Sequence, residues 1–247
     1  MVLTAVRGAL GFLTRLPIGR TEEAWLALGE VPAAMILAGY VVGGLVAIPF
    51  ALPLPPVTLG LAYVVALVAV TGITHLDGLA DLGDAAAVHG EPARRREVMG
   101  DASLGVGGTV AVAVDVLGLT LAGVALAGLP IRIALGLVVA SEVGAKLSMV
   151  VLSVLGRAAH EGLGASLTGA RTRHLIVAGA LAALAAVLAW PTVAGAVSLM
   201  TAVTVALGVL WWARARIGGV TGDVFGATNE LARLAALHAG VIAWTLS

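Results

Sequence analysis

Residues 31–76 read VPAAMILAGYVVGGLVAIPFALPLPPVTLGLAYVVALVAVTGITHL and contain no Asp, Glu, Lys or Arg. A helix needs about 20 predominantly apolar residues to cross the hydrocarbon core of a bilayer, so this run is long enough for two crossings. Pro53, Pro55 and Pro56 mark the break between them, since proline removes a backbone donor and ends a helix. The stretch therefore predicts two membrane-spanning helices.

The rest of the chain continues this pattern. Residues 174–213 form a second run without charged side chains, which fits two further spans broken near Trp190. The N-terminal stretch 3–16 is too short to cross and has no cleavage-site pattern, so we interpret it as a short interfacial helix. With the apolar segments at 105–128, 133–155 and 225–246, these runs predict seven spans, or six if the last segment only leans into the bilayer.

The composition indicates the same class of protein. The chain has 247 residues, of which 60% are hydrophobic and 11% charged, and its mean hydropathy is +1.07. A soluble domain of this size could not bury that much apolar surface, because it needs a polar exterior. The 14 basic and 14 acidic residues balance, which excludes a broad basic surface for nucleic acid, and the lack of cysteine excludes disulfides. We expect a single all-α, polytopic membrane domain over 1–247.

The distribution of the basic residues indicates an orientation. With seven spans, only Arg132 of the 14 basic residues falls on the side opposite the N-terminus. Cytoplasmic loops of membrane proteins are enriched in Lys and Arg. The N-terminus and the loops on its side are therefore predicted to be cytoplasmic.

An acidic block follows the first apolar run, where residues 75–84 read HLDGLADLGD. On a helix the spacing of Asp77, Asp81 and Asp84 places all three carboxylates on one face, where they repel one another. A cation would neutralise them, and a set of oxygen ligands favours Mg²⁺ or Mn²⁺. Asp101 precedes the next span and is predicted to fold back onto the same site. The alternative is that these acids only cap helices or pair with arginines.

Other polar groups on the same predicted side are candidates for binding a phosphate-rich substrate. Arg94, Arg95 and Arg96 either bind phosphate oxygens or only fix the topology. Lys146 either neutralises Glu142 four residues earlier or contacts the substrate. In the loop at 218–226, the glycines could let backbone N–H groups approach an anion, and Asp223 or Thr221 could reach a metal or a hydroxyl; a plain turn with an Asp N-cap is the alternative. His75 is predicted to donate to phosphate.

Five short motifs occur along the chain: FLTRLP at 12–17, HLDGLADLGD at 75–84, GDASLG at 100–105, EGLG at 161–164 and GGVTGD at 218–223. In this order they resemble the motifs of the cobalamin synthase family. The resemblance covers about residues 10–232, and the aspartate block is its most specific part. The chain departs from the family pattern at Ala85, where Gly is common, and at Glu142, where Arg often follows Ser.

The resemblance implies a Mg²⁺-dependent integral membrane enzyme, with Mn²⁺ as the alternative cation. Members of this family join adenosylcobinamide-GDP to α-ribazole or its 5′-phosphate and release GMP, which completes the nucleotide loop of cobalamin. The implied location is a bacterial inner membrane, crossed several times, with the active site on the cytoplasmic side. The implied partners are the two substrates and the lipid bilayer; no nucleic acid is expected, and a homo-oligomer is left open.

The resemblance also implies roles for individual residues. The predicted metal ligands are Asp77, Asp81, Asp84 and Asp101. Asp84 or Asp101 is predicted to accept the proton of the attacking hydroxyl, with His75 beside them in the catalytic set. The residues predicted to bind substrate are Arg15, Arg94, Arg95, Arg96, Lys146, Glu161, Thr221, Gly222 and Asp223.

Three other interpretations compete with this one. A phosphatidyltransferase that displaces CMP from a CDP-alcohol also uses clustered aspartates at a helix end, but its usual signature has Arg after Ala, where this chain has Asp81. A cation transporter would place its site near the midplane of the membrane rather than at a helix end. A non-catalytic subunit of a membrane complex has no need for four converging carboxylates.

Overall fold

A computed structural model describes residues 1–18 and 20–247, and the described residues are almost entirely helical. Two short 3-10 helices, Pro32–Ala34 and Ile48–Ala51, flank the third α-helix. Among the described residues there is no β-strand, only one isolated bridge between Ala158 and Val220. The α-helices are α1 (Val2–Leu13), α2 (Glu22–Glu30), α3 (Met35–Val46), α4 (Pro56–Thr71), α5 (Thr74–Ala87), α6 (Pro92–Met99), α7 (Val106–Leu126), α8 (Ile131–Leu155), α9 (Leu163–Leu167), α10 (Arg173–Val187), α11 (Ala194–Arg216) and α12 (Gly222–Thr245).

The predicted class, a helical membrane protein, is confirmed. Four helical segments of the described chain are long and apolar enough to cross a bilayer: Pro32–Ala51, which contains α3, and the helices α7, α8 and α11. A fifth results if α4 and α5 are counted as one bent span. The predicted number of six or seven is not confirmed. Helix α10 has 15 residues, about 22 Å at 1.5 Å per residue, which is shorter than a hydrocarbon core of about 30 Å. Helix α12 has 24 residues and is long enough to cross a bilayer, but it is less apolar than the four segments above.

The junction of α4 and α5 sets the position of the acidic block. The two helices are bent by 101° at Gly72, whose φ of 75° is a left-handed conformation that favours glycine. A Cβ atom at Gly72 would lie 3.1 Å from the Cδ of Arg15, so there is also little room for a side chain. Helix α5 therefore leaves the direction of the apolar α4, and we treat it as lying outside the membrane-spanning segments.

Helix α8 lies at the centre of the bundle and is almost entirely buried by α3, α10, α11 and α12. Glycines allow α3 to approach it closely. A Cβ at Gly39 would lie 3.0 Å from the Cα of Val143, and one at Gly43 would lie 2.9 Å from the Cα of Val139. Small residues at such crossings let membrane helices pack backbone to backbone. Helix α5 packs against α12 and against α7, and this position brings the functional groups together.

Candidate active site

Two glycines let α5 pack directly against its neighbours. A Cβ at Gly78 would lie 2.8 Å from the backbone oxygen of Asp223 on α12, closer than real Cβ contacts. A Cβ at Gly83 would lie 2.8 Å from the backbone oxygen of Gly107 on α7. The acidic block on α5 is therefore held next to the N-terminal turns of both α7 and α12. The predicted helix across the three aspartates is confirmed, since α5 runs from Thr74 to Ala87.

Asp81 is the centre of a group of carboxylates. Burial raises the pKa of the Asp81 carboxyl to about 6. Three neighbouring carboxylates add to this shift, in decreasing order those of Asp223, Asp77 and Asp84. Burial also raises the pKa of Asp223, with a smaller contribution from Asp77. The structure thus adds an acid from α12, more than a hundred residues away in sequence, to the three acids of α5.

Asp84 connects α5 to α7. Its two carboxylate oxygens accept hydrogen bonds from the backbone N–H groups of Gly105, at 2.7 Å, and Gly108, at 2.8 Å. These groups belong to the start of α7, where backbone N–H groups have no partner within the helix, and a carboxylate also interacts favourably with the helix dipole. A Cβ at Gly105 would lie 2.3 Å from Asp84 Oδ1, so this contact requires glycine. Asp84 acts as a cap, as the alternative interpretation proposed; its role at a metal or a proton stays a prediction.

Asp101 lies on the loop before α7, and it lines a cavity of about 350 Å³ together with Asp84. Asp101 therefore shares a cavity with the last aspartate of the acidic block, and its predicted place at one site with Asp77 and Asp81 stays a prediction. The carboxylate is exposed and accepts hydrogen bonds from the hydroxyl of Ser103, at 2.7 Å, and from its backbone N–H, at 3.0 Å. These bonds lower the pKa of Asp101, because they stabilise its charged form.

The carboxylates supply the hard oxygen ligands that Mg²⁺ prefers, and the three neighbouring carboxylates add to the raised pKa that burial gives Asp81. The donor set thus fits a divalent cation chemically. Within the part of the chain that the structure describes, however, no three His, Cys, Asp or Glu side chains are arranged to hold a metal ion as they stand. Metal binding by Asp77, Asp81, Asp84 and Asp101 stays a prediction.

His75 lies inside the bundle, although it belongs to the acidic block. Its side chain is buried, and its Nδ1 accepts a hydrogen bond from the amide of Asn229 at 3.3 Å. The same Nδ1 lies 3.8 Å from a carboxylate oxygen of Glu230. Burial lowers the pKa of His75 well below its usual value, so the ring is neutral near pH 7. This position favours a role in helix packing over the predicted donation to a phosphate.

Lys146 belongs to a network of fully buried polar side chains. Its ammonium lies 3.4 Å from Glu142, as predicted for an ion pair on one helix, and it also donates to the amide oxygen of Asn229 at 2.6 Å. Arg233 of α12 forms ion pairs with both Glu142 and Glu230. The network fixes α8 against α12. Its members on α12 were missed in the sequence, although an acid and an arginine three residues apart in an apolar helix are a usable signal.

The arginines of α6 bind backbone carbonyls. Arg95 is buried and donates to the carbonyl of Ala85 at the C-terminal end of α5. Arg96 donates to the carbonyl of Ile217, in the loop between α11 and α12, at 2.6 Å. Arg94 is exposed and forms a surface ion pair. Two of the three arginines predicted to bind substrate thus tie α6 to its neighbours, whereas Arg94 is exposed.

The loop before α12 places Asp223. Gly218 and Gly219 have φ values of 85° and 154°, which other residues rarely adopt. At Gly219 a Cβ would lie 2.6 Å from the carbonyl oxygen of Arg157, so this loop is pressed against the one that carries Glu161. Thr221, rather than Asp223, is the N-cap, and its hydroxyl accepts from the Val224 N–H at 3.3 Å. Gly222 packs against Leu163, while Glu161 is exposed.

The fold and the site together define a helical membrane protein that gathers four carboxylates where α5, α7 and α12 meet. The chain matches the family described as Cobalamin-5-phosphate synthase over residues 5–241, and it belongs to that family. The predicted resemblance is therefore confirmed.

Curated relatives match the chain over nearly its whole length. A protein from Halorubrum lacusprofundi is 54% identical, covering 99% of both chains, and one from Haloquadratum walsbyi is 44% identical, covering 100% of both. A protein from Methanococcoides burtonii is 32% identical, covering 98% of this chain and 93% of its own. All three carry the name adenosylcobinamide-GDP ribazoletransferase. No solved structure matches the chain. The relatives include archaea, so a bacterial inner membrane is not shown.

Proposed function

We propose that this protein joins adenosylcobinamide-GDP to α-ribazole or its 5′-phosphate and releases GMP, the last assembly step of the nucleotide loop of cobalamin. The observation that carries the proposal is the match to relatives with this named activity over 99% of the chain. The carboxylate cluster agrees with it, because transfer between phosphate esters requires neutralisation of phosphate charge.

The reaction forms one bond and breaks one. A ribose hydroxyl that α-ribazole and its 5′-phosphate share, and therefore not the 5′-hydroxyl, attacks the phosphorus atom next to cobinamide, and the bond from that phosphorus to the bridging oxygen breaks, so GMP leaves with the electron pair. The hydroxyl proton passes to a base. Of the two predicted bases, Asp101 fits better, because both of its described hydrogen bonds end on Oδ1, whereas Asp84 uses both oxygens.

The residues that would hold Mg²⁺ are Asp77 and Asp81, with Asp223 and Asp84 beside them. A divalent cation bound there would neutralise the pyrophosphate oxygens and the leaving phosphate. The side chains of this protein orient the substrate around it. Asp84 and Gly78 keep the acidic face of α5 against the ends of α7 and α12. Arg94, at the surface, is the arginine of α6 that remains available for a substrate phosphate.

A transferase assay tests this proposal. Protein purified in detergent is supplied with adenosylcobinamide-GDP and either α-ribazole or its 5′-phosphate, and GMP and the corrinoid product are measured. We expect product only with added Mg²⁺ or Mn²⁺, and none after EDTA. A CDP-alcohol exchange assay is run beside it. GMP release unchanged by EDTA would overturn the metal assignment, and CMP exchange without corrinoid product would overturn the proposed reaction.

A further inference from the structure

Asp115 is a buried acid that the proposed reaction does not use. It lies in the middle of α7 with 1% of its surface exposed. Neither of its carboxylate oxygens has a hydrogen-bond partner among the described residues. The hydroxyl of Tyr63 on α4 is buried and without a described partner as well. Burying an unpaired carboxylate inside a membrane protein is costly, so Asp115 is expected either to be protonated or to have a compensating cation at this position.

The buried charges around Asp115 do not balance. Arg233 pairs with both Glu142 and Glu230, and Lys146 pairs with Glu142. Three buried carboxylates, including that of Asp115, therefore share two buried cationic side chains. Both cations are already bound to the glutamates, so the interior lacks one positive charge when Asp115 is ionised.

The titratable groups nearest to this region do not supply that charge. His75 faces Glu230 but is buried in a setting that keeps its ring neutral. The aliphatic part of the Arg15 side chain packs against Gly72. Arg15 is exposed, so its charge does not belong to the buried interior. The missing charge is one unit, which a monovalent cation would balance and a divalent cation would exceed.

A small cavity lies where the charge is missing. Its volume is about 20 Å³, and its polar lining comes from Thr71, Asp115, Glu230 and Arg233. A site needs about 10–15 Å³ of such volume to hold one water-sized particle, so this cavity accommodates one. The hydroxyl of Thr71 donates to the carbonyl of Leu67 at 2.8 Å, which leaves its oxygen lone pairs for a cation. Carboxylate and hydroxyl oxygens are ligands that suit hard cations.

We propose that Asp115, with Thr71 and Glu230, binds one dehydrated alkali cation between α4, α7 and α12. This site is separate from the carboxylates of α5, and it does not depend on the proposed transferase reaction. Its role is to complete the charge balance of the buried network that joins α8 to α12.

Thermal unfolding of the full-length protein in detergent tests the proposal. Melting temperatures are measured with EDTA at constant ionic strength in LiCl, NaCl, KCl or N-methyl-D-glucamine chloride. We expect at least one alkali salt to raise the midpoint in a saturable manner, by about 5 °C at a hundredfold excess over its Kd. Equal midpoints in all four salts would overturn the proposal.

Variants locate the effect. Asp115→Asn should abolish the response to alkali cations, while Glu97→Gln, which removes an exposed acid on α6, should keep it. Thr71→Val leaves the carboxylate in place and removes a proposed ligand, so it provides a second variant if Asp115→Asn does not fold; it should weaken the response. Equilibrium dialysis against the salt that stabilises, with the bound metal measured by atomic emission, should find one alkali ion per wild-type chain. A full response in Asp115→Asn, or a wild type that responds only to pH, would overturn the assignment.

Discussion

Replacing Asp81 by asparagine should stabilise the protein while abolishing its activity. Asp81 is surrounded by the carboxylates of Asp223, Asp77 and Asp84, and its pKa is about 6 in the folded chain, against 3.8 as the ordinary value. Above pH 6 the side chain is ionised in both the folded and the unfolded state. The folded state is then destabilised by the partial burial of the ionised Asp81 carboxylate and by its repulsion from the neighbouring carboxylates.

The size of the effect follows from this shift. About two pKa units correspond to about 3 kcal/mol without screening. Asp81 is partly exposed, so solvent screening reduces the expected gain in Asp81→Asn to about 1 kcal/mol, or about 2–4 °C in melting temperature. Because the folded-state pKa is raised, the contribution of Asp81 to the stability of the wild type falls as pH rises from about 4 to 6 and is then constant. The advantage of the variant should therefore be full at pH 7.5 and shrink below pH 6.

The assay is thermal unfolding of the purified wild type and Asp81→Asn at pH 7.5 and pH 5, with EDTA or with Mg²⁺. In EDTA the variant should melt higher at pH 7.5. Mg²⁺ should stabilise the wild type more than the variant, because the proposed site loses a ligand. Transferase activity should be lost although the variant is folded. An Asp81→Asn protein that melts several degrees lower in EDTA at pH 7.5 would refute the reasoning, since Asp81 would then have a stabilising partner.

Three further predictions concern the packing of the site. Asp84→Asn should lower the free energy of unfolding by about 1–3 kcal/mol, because its amide nitrogen would face a backbone N–H at the start of α7; an unchanged melting temperature would contradict this. Gly78→Ala should reduce transferase activity at least tenfold by separating α5 from α12. The control is Gly44→Ala, where a Cβ meets nothing within 4 Å, and its activity should be near that of the wild type. Equal activities of the two variants would show that the close approach of α5 to α12 is not required. Arg233→Met should cost about 3–5 kcal/mol in unfolding experiments, because Glu230 loses its ion pair and Glu142 keeps only Lys146. Adding Glu230→Gln should restore part of it; no recovery in the double variant would argue against the pairing.

Local patterns in the sequence were sufficient for part of this structure. The apolar runs predicted a helical membrane protein, and the spacing of the aspartates predicted the helix α5. Both predictions depend only on residues close together in the sequence. The ion pair of Glu142 and Lys146 could be predicted for the same reason, since the two residues are four positions apart on one helix. The cap formed by Asp84 was considered only as an alternative, since its partners lie 21 and 24 residues further along the chain.

Other features depend on contacts that no short pattern contains. Arg233 and Glu142 are 91 residues apart, and their pairing requires α8 and α12 to pack against each other. The position of Arg95 was also unforeseen. A run of three arginines is typical of a phosphate-binding or topology-setting segment, and only the packing of α6 against α5 shows that the middle one reaches a helix end. The predicted number of spans was not confirmed. Helix α10 is too short to cross a bilayer, and the chain bends by 101° between α4 and α5.

The pairing of charges within single helices has a consequence for biosynthesis. Helix α8 contains both Glu142 and Lys146, and α12 contains both Glu230 and Arg233, so each helix is neutral in this region when it leaves the ribosome. A neutral segment is less costly to move from the insertion machinery into lipid than one with an unpaired charge. Each helix can therefore enter the bilayer before its partner has been made. Arg233 then reaches Glu142 only when the two helices associate, and this contact fixes α12 to the central helix α8.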